Sequence, residues 1–185
     1  MTKRKAIFLD RDGTLVVHVP YLNSPDQLKL LPNAVRGIRL FKEHGYLIII
    51  VTNQSGIARG FFNEECLTFI HERLKDMLEK EGVTIDDIYY CPHYRKGAVE
   101  RYRIDCDCRK PKSKMIYDAA AEYHIDLKQS FMIGDSETDM VAGKNAGCTC
   151  ILIKDTEIHG QNSVSGIDAD YCVKDLFEAA KLFAR

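Results

Sequence analysis

Two aspartates separated by a single residue carry the first chemical signal in the chain. Asp10 and Asp12 directly follow the apolar run 7–9, and an apolar run that ends in acids is typical of a buried parallel strand at its carboxyl end. Gly13 lets the backbone bend there, so both carboxylates can face one small volume. Because two such acids are unfavourable together unless a cation or a reaction requires them, the pair indicates phosphate chemistry.

Two other apolar runs end in polar residues in the same way. The run 46–52 ends in Thr52, whose hydroxyl could bind a phosphate oxygen together with the N–H groups of the following loop. The run 131–134 ends before Asp135, and Asp139 lies one helical turn further on. Because the carboxyl ends of parallel strands meet at one edge of a sheet, these groups should lie beside the first acidic pair. Asp139 is expected to orient its neighbours without binding a metal ion.

Three carboxylates and a lysine define the expected reaction. Asp10, Asp12 and Asp135 offer the oxygen ligands that Mg²⁺ prefers. Asp10, held rigidly at the strand end, is the predicted nucleophile that forms an acyl-phosphate. Asp12, on the turn, is the predicted acid for the leaving oxygen and base for the attacking water. Lys110 and Thr52 would stabilise the charge on the phosphoryl oxygens.

A second cluster has the residue types of a zinc site. Cys91 and His93 form one pair at i and i+2, and Cys106 and Cys108 form another, with twelve loop-like residues between the pairs. The four can converge tetrahedrally on Zn²⁺ and leave no position for water, so the predicted zinc is structural. It would fix the direction of Lys110, which follows at once. The alternative is a set of free thiols and an exposed histidine.

Apolar runs that alternate with amphipathic segments predict an α/β fold. We expect an open parallel, Rossmann-like sheet with helices on both faces, in one domain over residues 1–185 with a zinc-binding loop at about 91–110. The predicted strands are 5–10, 46–52, 131–134, 149–153 and 169–173, and the predicted helices are 33–44, with Asn33 as N-cap, 63–81, 113–124, 137–146 and a last one from about 175. The loops 11–32 and 91–111 interrupt the alternation, and long loops often carry function.

Composition excludes several classes of protein. The 185 residues are 45% hydrophobic and 29% charged, which suits one domain with a sizeable core. The formal net charge of −1 supplies no field for nucleic acid or an anionic membrane, and no segment approaches the roughly 20 apolar residues that span a bilayer. Seven cysteines without an export signal favour a reducing compartment, so we expect a cytoplasmic monomer with no nucleic-acid or membrane partner.

Taken in order, these motifs resemble the four motifs of haloacid-dehalogenase-like phosphatases. The matching residues are Asp10-Arg11-Asp12-Gly13-Thr14, Thr52-Asn53, Lys110, and Gly134-Asp135 with Asp139. The resemblance implies hydrolysis of a phosphate monoester with Mg²⁺ through an aspartyl-phosphate. A calcium loop of the EF-hand type is disfavoured, because Gly13 is fourth in the motif and that loop needs glycine at its sixth position.

Within that superfamily the chain is similar to the heptose-1,7-bisphosphate 7-phosphatase branch. The stretches 8–14, 51–60, 88–93 and 106–111 carry the likeness. Histidinol-phosphate phosphatases share the aspartates and a zinc loop but have a shorter gap between the ligand pairs, and both groups lack a large cap domain. The resemblance implies a small sugar phosphate as substrate. The residues expected to contact it are His18, Val19, Pro20, Tyr21, Thr52, Asn53, Gln54, Ser55, Arg109, Lys110 and Ser136.

Three alternatives stay open at this point. Histidinol phosphate is a second possible substrate, and a phosphorylated nucleic-acid end is disfavoured by the neutral charge. A zinc-stabilised binding module without catalysis is disfavoured because every proposed catalytic position holds a competent residue.

Arg59 is equally compatible with binding a remote phosphate and with a solvated loop. No function is expected for the histidines on presumed helix surfaces and loops, which are His44, His71, His124 and His159.

Overall fold

The computed structural model describes residues 3–154 and 167–183, and these residues share one six-stranded sheet. The strands are β1 (Ala6–Leu9), β2 (Leu47–Asn53), β3 (Asp87–Cys91), β4 (Phe131–Gly134), β5 (Thr149–Ile153) and β6 (Tyr171–Val173). Their order across the sheet is β3-β2-β1-β4-β5-β6, and every neighbouring pair is parallel. The predicted open parallel sheet is confirmed.

Helices cover both faces of this sheet, as expected for buried parallel strands. They are α1 (Ala34–Glu43), α2 (Gly56–Arg59), α3 (Glu64–Lys80), α4 (Lys114–Glu122), α5 (Glu137–Ala146) and α6 (Leu176–Lys181). One apolar cluster joins the odd-numbered side chains of β1 to α1, α3 and α6. The other joins its even-numbered side chains to α4 and α5. No helix in the described ranges is long and apolar enough to cross a membrane.

The centre of the sheet explains where the acidic pair lies. All four residues of β1 are fully buried, and β1 pairs with β2 on one side and β4 on the other. The backbone N–H of Asp10 continues the ladder by donating to the carbonyl of Ile133 at 3.0 Å. The carboxyl ends of the three central strands therefore meet at one edge, as the motif order predicts.

The structure differs from the sequence-based prediction at two elements. β3 was not predicted: its first four residues are only half-buried, because it lies at the sheet edge, so the apolar pattern is weak. Asn33 has φ of 62° and makes no side-chain cap. Its side-chain Nδ2 instead donates to Asp175 at 2.8 Å and its side-chain Oδ1 accepts from Arg36, so the residue joins α1 to the start of α6. His159 lies outside the described residues.

Candidate active site

A cavity of about 420 Å³ opens at the carboxyl edge of the sheet. It is lined by every residue that the sequence assigns to the reaction or the substrate except Arg109, namely Asp10, Asp12, His18, Val19, Pro20, Tyr21, Thr52, Asn53, Gln54, Ser55, Lys110, Asp135 and Ser136. Arg109 lines a neighbouring depression formed mainly by residues of the loop 91–111, and its Nη1 donates to the carbonyl of His93 at 3.3 Å.

Lys110 is the buried cation of this cavity. Its Nζ lies 2.7 Å from Oδ1 of Asp10, 2.6 Å from Oδ1 of Asp139 and 2.7 Å from the carbonyl oxygen of Val51. Burial alone would lower the pKa of this amine, but the carboxylates of Asp10 and Asp139 raise it above its ordinary value. Lys110 is therefore an ammonium ion, fixed between the strand ends.

Asn53 holds the backbone of Lys110 at the end of β2. Its side-chain Nδ2 donates to the Lys110 carbonyl at 3.1 Å, and its Oδ1 accepts from the Lys110 N–H at 3.0 Å. The sequence predicted Asn53 as a substrate contact, and it does line the cavity. The two hydrogen bonds give it the further task of positioning the lysine.

Three carboxylates form a cluster of the kind that binds a divalent cation. Asp10, Asp135 and Asp139 each offer an oxygen, and these atoms all lie within 4.8 Å of one another. The pKa of Asp10 is raised to about 8, chiefly by burial; the Lys110 ammonium opposes the shift and the neighbouring carboxylates contribute to it. All-oxygen ligands with excess negative charge fit Mg²⁺. Asp139, expected only to orient its neighbours, thus lies within ligand range itself.

The Asp12 carboxylate does not join this cluster, although it was predicted as a Mg²⁺ ligand. Arg11 donates hydrogen bonds to both carboxylate oxygens of Asp12, with Nη2 2.9 Å from Oδ2 and 3.1 Å from Oδ1. Gln54 donates from Nε2 to Oδ2 of Asp12 at 2.9 Å and to the Thr52 hydroxyl at the same distance. These neighbours hold the Asp12 side chain beside the metal-type cluster, where the predicted role as acid and base stays chemically reasonable.

His71 is buried, which corrects the expectation of a surface histidine. Its Nε2 lies 3.2 Å from Nη1 of Arg11, and its ring meets the edge of Tyr90. Burial, together with the cations of Arg11 and Lys75, lowers the pKa of His71 to about 3. The helical repeat could have revealed this position, because residue 71 lies four residues after the buried Leu67 and three before another buried leucine.

Gly134 and Ser136 set the position of Asp139. Ser136 directly precedes α5 and donates to Oδ2 of Asp139 from its hydroxyl at 2.7 Å and from its N–H at 3.1 Å. A Cβ at Gly134 would overlap the Asp139 carboxylate. Only glycine therefore lets the end of β4 approach this side chain.

The loop 18–21 forms the outer wall of the cavity. Tyr21 has φ of 52° and its ring centroid lies 4.4 Å from that of Phe61. Arg59 stacks over the ring of Tyr94 at 4.1 Å and lies 5.5 Å from the Tyr21 ring. Arg59 is thus packed between aromatic rings. The sequence had suggested either a phosphate contact or a solvated loop for this residue, and neither interpretation included such packing.

The predicted zinc ligands converge in space. The three sulphur atoms of Cys91, Cys106 and Cys108 lie 3.1 to 3.4 Å apart, and Nδ1 of His93 lies 3.3 Å from Cys108 and 3.7 Å from Cys91. A tetrahedral zinc with Zn–S bonds of about 2.3 Å requires ligand separations of roughly 3.8 Å. The four atoms are therefore arranged to accept such an ion after a small expansion.

Comparison with known proteins assigns the chain to a family. Residues 107–179 match the family model described as HAD-hydrolase-like. The curated D-glycero-beta-D-manno-heptose-1,7-bisphosphate 7-phosphatase of Haemophilus influenzae is 40% identical over 181 residues, which cover 98% of this chain and 97% of that protein. The protein of the same name from Pasteurella multocida is 48% identical over 143 residues, covering 77% of each chain.

A solved structure supports the same assignment. The D,D-heptose 1,7-bisphosphate phosphatase of B. bronchiseptica, determined with magnesium and phosphate, superimposes with a TM-score of 0.80 at 30% identity and covers 97% of this chain and 98% of its own. Fold and site together define a hydrolase of the haloacid-dehalogenase-like class. The chain belongs to the haloacid-dehalogenase-like family of phosphatases, as a phosphoric monoester hydrolase similar to the heptose bisphosphate enzymes.

Replacing Gly134 tests the close approach of Asp139. In Gly134→Ala the new methyl group should push the Asp139 carboxylate away from Lys110, lowering kcat and destabilising the fold by about 1–3 kcal/mol, as overpacking does. Phosphatase assays and urea unfolding would measure both effects. Gly82→Ala is the matched control: φ of 74° makes that change strained as well, but nothing lies near the new methyl group. A Gly134→Ala enzyme with unchanged kcat would show that the close approach does not position Asp139.

Because His71 is buried, we expect the free energy of unfolding to decrease at acidic pH. Its folded pKa of about 3 lies below the unfolded value of about 6.5, so only the unfolded chain takes up a proton between these values. The free energy of unfolding should therefore fall with decreasing pH below about 6.5, with a slope from this residue approaching about 1.4 kcal/mol per pH unit. His71→Gln should remove this part of the slope in urea unfolding from pH 7.5 to 5.

The measurement has an internal control. His124→Asn changes an exposed histidine whose φ of 54° asparagine tolerates, and it should leave the slope close to wild type. Identical slopes for the wild type and His71→Gln would show that His71 is not kept neutral in the folded chain.

Proposed function

We propose that this enzyme removes the 7-phosphate of D-glycero-D-manno-heptose 1,7-bisphosphate. The observation that carries the proposal is the 40% identity, over nearly the whole chain, to a curated protein of that name. The cavity adds support, because its volume of about 420 Å³ falls within the range of small-molecule sites. Its deepest part holds the carboxylates and Lys110, where a phosphoryl group would be bound.

The first chemical step transfers the phosphoryl group to the enzyme. Oδ of Asp10 attacks phosphorus in line with the sugar oxygen, and the bond from phosphorus to that oxygen breaks. Asp12 gives its proton to the leaving oxygen, so the product departs as an alcohol. The Lys110 ammonium and the Thr52 hydroxyl stabilise the charge that develops on the phosphoryl oxygens.

The second step returns the enzyme to its starting state. A water molecule loses its proton to Asp12 and attacks phosphorus, the bond to Asp10 breaks, and inorganic phosphate leaves. Mg²⁺ held by Asp10, Asp135 and Asp139 would keep the nucleophile ionised against its raised pKa and offset the phosphate charge. The Lys110 ion pairs keep Asp10 and Asp139 in place through both steps.

The distal part of the substrate would meet the outer wall. His18, Val19, Pro20 and Tyr21 line the cavity there, and Ser55 lies at the start of α2. Arg109, which lines the neighbouring depression next to Tyr94, is proposed as a contact for the far end of the substrate. Recognition of this end, rather than of the reacting phosphorus, would separate heptose bisphosphate from histidinol phosphate.

A substrate panel tests this proposal. We expect kcat/KM to be highest for heptose 1,7-bisphosphate, assayed as both anomers, and much lower for histidinol phosphate and for a 5′-phosphorylated oligonucleotide. Phosphate release, measured with Mg²⁺ and with the metal removed, gives these values. Preference for histidinol phosphate would overturn the substrate while leaving the reaction class intact.

Loss of the nucleophile tests the mechanism. Asp10→Asn should lower kcat by roughly three orders of magnitude or more, because no acyl-phosphate can form. Asp118→Asn, a change in an exposed carboxylate that pairs with Lys114 on α4, should retain wild-type activity. Trapping of labelled phosphate on the wild type and its absence from Asp10→Asn would complete the test. Substantial turnover by Asp10→Asn would rule out the covalent route.

We also propose that the cysteine cluster binds structural zinc. Elemental analysis should find about one zinc per chain, and removal by a chelator or by Cys106→Ser should lower kcat by up to about a hundredfold, because misplacing Lys110 by an ångström is that costly. Cys172→Ser, in an exposed cysteine outside the cluster, is the control. Full activity of a zinc-free enzyme would show that the metal does not position Lys110.

A further inference from the structure

Arg11 carries a guanidinium group whose hydrogen bonds are supplied almost entirely from inside the protein. The side chain is 1% exposed, so water cannot satisfy its five N–H groups. Nε and Nη2 point at the two oxygens of Asp12, at 2.9 to 3.2 Å. Nη1 faces Nε2 of His71 at 3.2 Å. A buried histidine thus supports the arginine that grips Asp12.

The chemistry of the contact fixes which partner accepts. Arginine has donors only, so Nε2 of His71 must be the acceptor and the ring proton must lie on Nδ1. The groups facing the ring are the cations Arg11 and Lys75 and the ring of Tyr90, and burial with these two cations keeps the imidazole neutral. The acceptor is therefore available throughout the pH range in which a phosphatase works.

His71 lies among packed core residues of α3. It lies on α3 between Leu67 and Leu74, both fully buried, and Ile70 packs with the odd-numbered side chains of β1. Arg11, in contrast, lies after the end of β1 and outside any helix. The hydrogen bond from Arg11 to His71 on the packed helix therefore holds the long arginine side chain in one orientation, which the Arg11 backbone alone would not do.

We propose that His71 is a positioning residue for the reaction: through Arg11, it sets the orientation of the Asp12 carboxylate for proton transfer. The inference rests on the proposed function, in which Asp12 protonates the leaving oxygen. Without the acceptor at residue 71, the guanidinium turns to find another partner and the Asp12 carboxylate turns with it. Gln54 alone then holds one oxygen of Asp12.

A role in proton transfer has a signature that general loosening of the fold lacks. An alkyl oxygen leaves phosphorus with difficulty unless it is protonated, whereas p-nitrophenolate leaves readily without a proton. The value of kcat/KM includes only steps up to the departure of the leaving group, so it is insensitive to the later attack of water. A defect in Asp12 should therefore lower kcat/KM far more for a sugar phosphate than for p-nitrophenyl phosphate.

Variants of Asp12 and His71, compared on these two substrates, test for this signature. Asp12→Asn gives the largest expected difference between the loss of kcat/KM for the sugar phosphate and the loss for p-nitrophenyl phosphate. His71→Leu, which removes the acceptor, should lower kcat/KM for the sugar phosphate by roughly ten- to a hundredfold and for p-nitrophenyl phosphate by less than about threefold, as expected for loss of a hydrogen bond to a buried charge. His71→Gln, which offers an amide oxygen, should stay within about threefold of wild type on both substrates. His71→Phe replaces His71→Leu if the leucine variant does not fold.

Leu74→Ala is the matched control for stability. It removes apolar volume from the same buried face of α3, one turn from His71, without touching Arg11, so it should lower the unfolding temperature and leave the substrate ratio unchanged. Equal losses on both substrates for His71→Leu, or none, would overturn the positioning role while Asp12→Asn still discriminates. If Asp12→Asn itself showed no discrimination, the proton-transfer role of Asp12 and the inference built on it would both fall.

Discussion

The ammonium group of Lys110 is the interaction on which the site depends. It enters from the loop after the cysteine cluster and binds Asp10 after β1, the Val51 carbonyl on β2 and Asp139 on the helix after β4. A buried cation is stable only where its neighbours satisfy every donor, and removal of one partner leaves an uncompensated charge. Because the cluster has three carboxylates and Lys110 pairs with two of them, it keeps a negative excess that suits a divalent cation.

The cysteine cluster is connected to the cavity by two routes. Along the chain, Cys108 lies two residues before Lys110. Across the sheet, Cys91 ends β3 directly opposite Asn53, and its carbonyl accepts from the N–H of Gln54 at 2.8 Å. One end of the cluster is thus bonded to the strand end that holds the lysine backbone, and the other end precedes the lysine itself. A metal ion there would close a ring of contacts around Lys110.

Features that depend on burial could be predicted from the sequence, whereas features that depend on partners from distant segments could not. β1 and its acids were predictable because a strand buried on both faces is a continuous apolar run. β3 was not, since an edge strand with half-buried residues shows no such run. The orientation of the Asp12 carboxylate could not be predicted either, because it depends on hydrogen bonds from Arg11 and from Gln54, which belongs to a distant segment of the chain. His71 was missed although its helical spacing places it among buried leucines.

The alternation of side chains along β1 explains how two neighbouring aspartates acquire different environments. Ile7 and Leu9 face the cluster that contains α1 and α3, so continuing the alternation directs residue 11 toward the same helices and residues 10 and 12 away from them. Arg11 therefore reaches His71 on α3, and its length lets the guanidinium return to the next carboxylate. Asp10, at the carboxyl end of the central strand β1, contacts Lys110 and lies near two further acids, Asp135 and Asp139. In the proposed mechanism these two environments suit different roles, a nucleophile for Asp10 and an acid and base for Asp12, and the arginine between them binds only the second carboxylate.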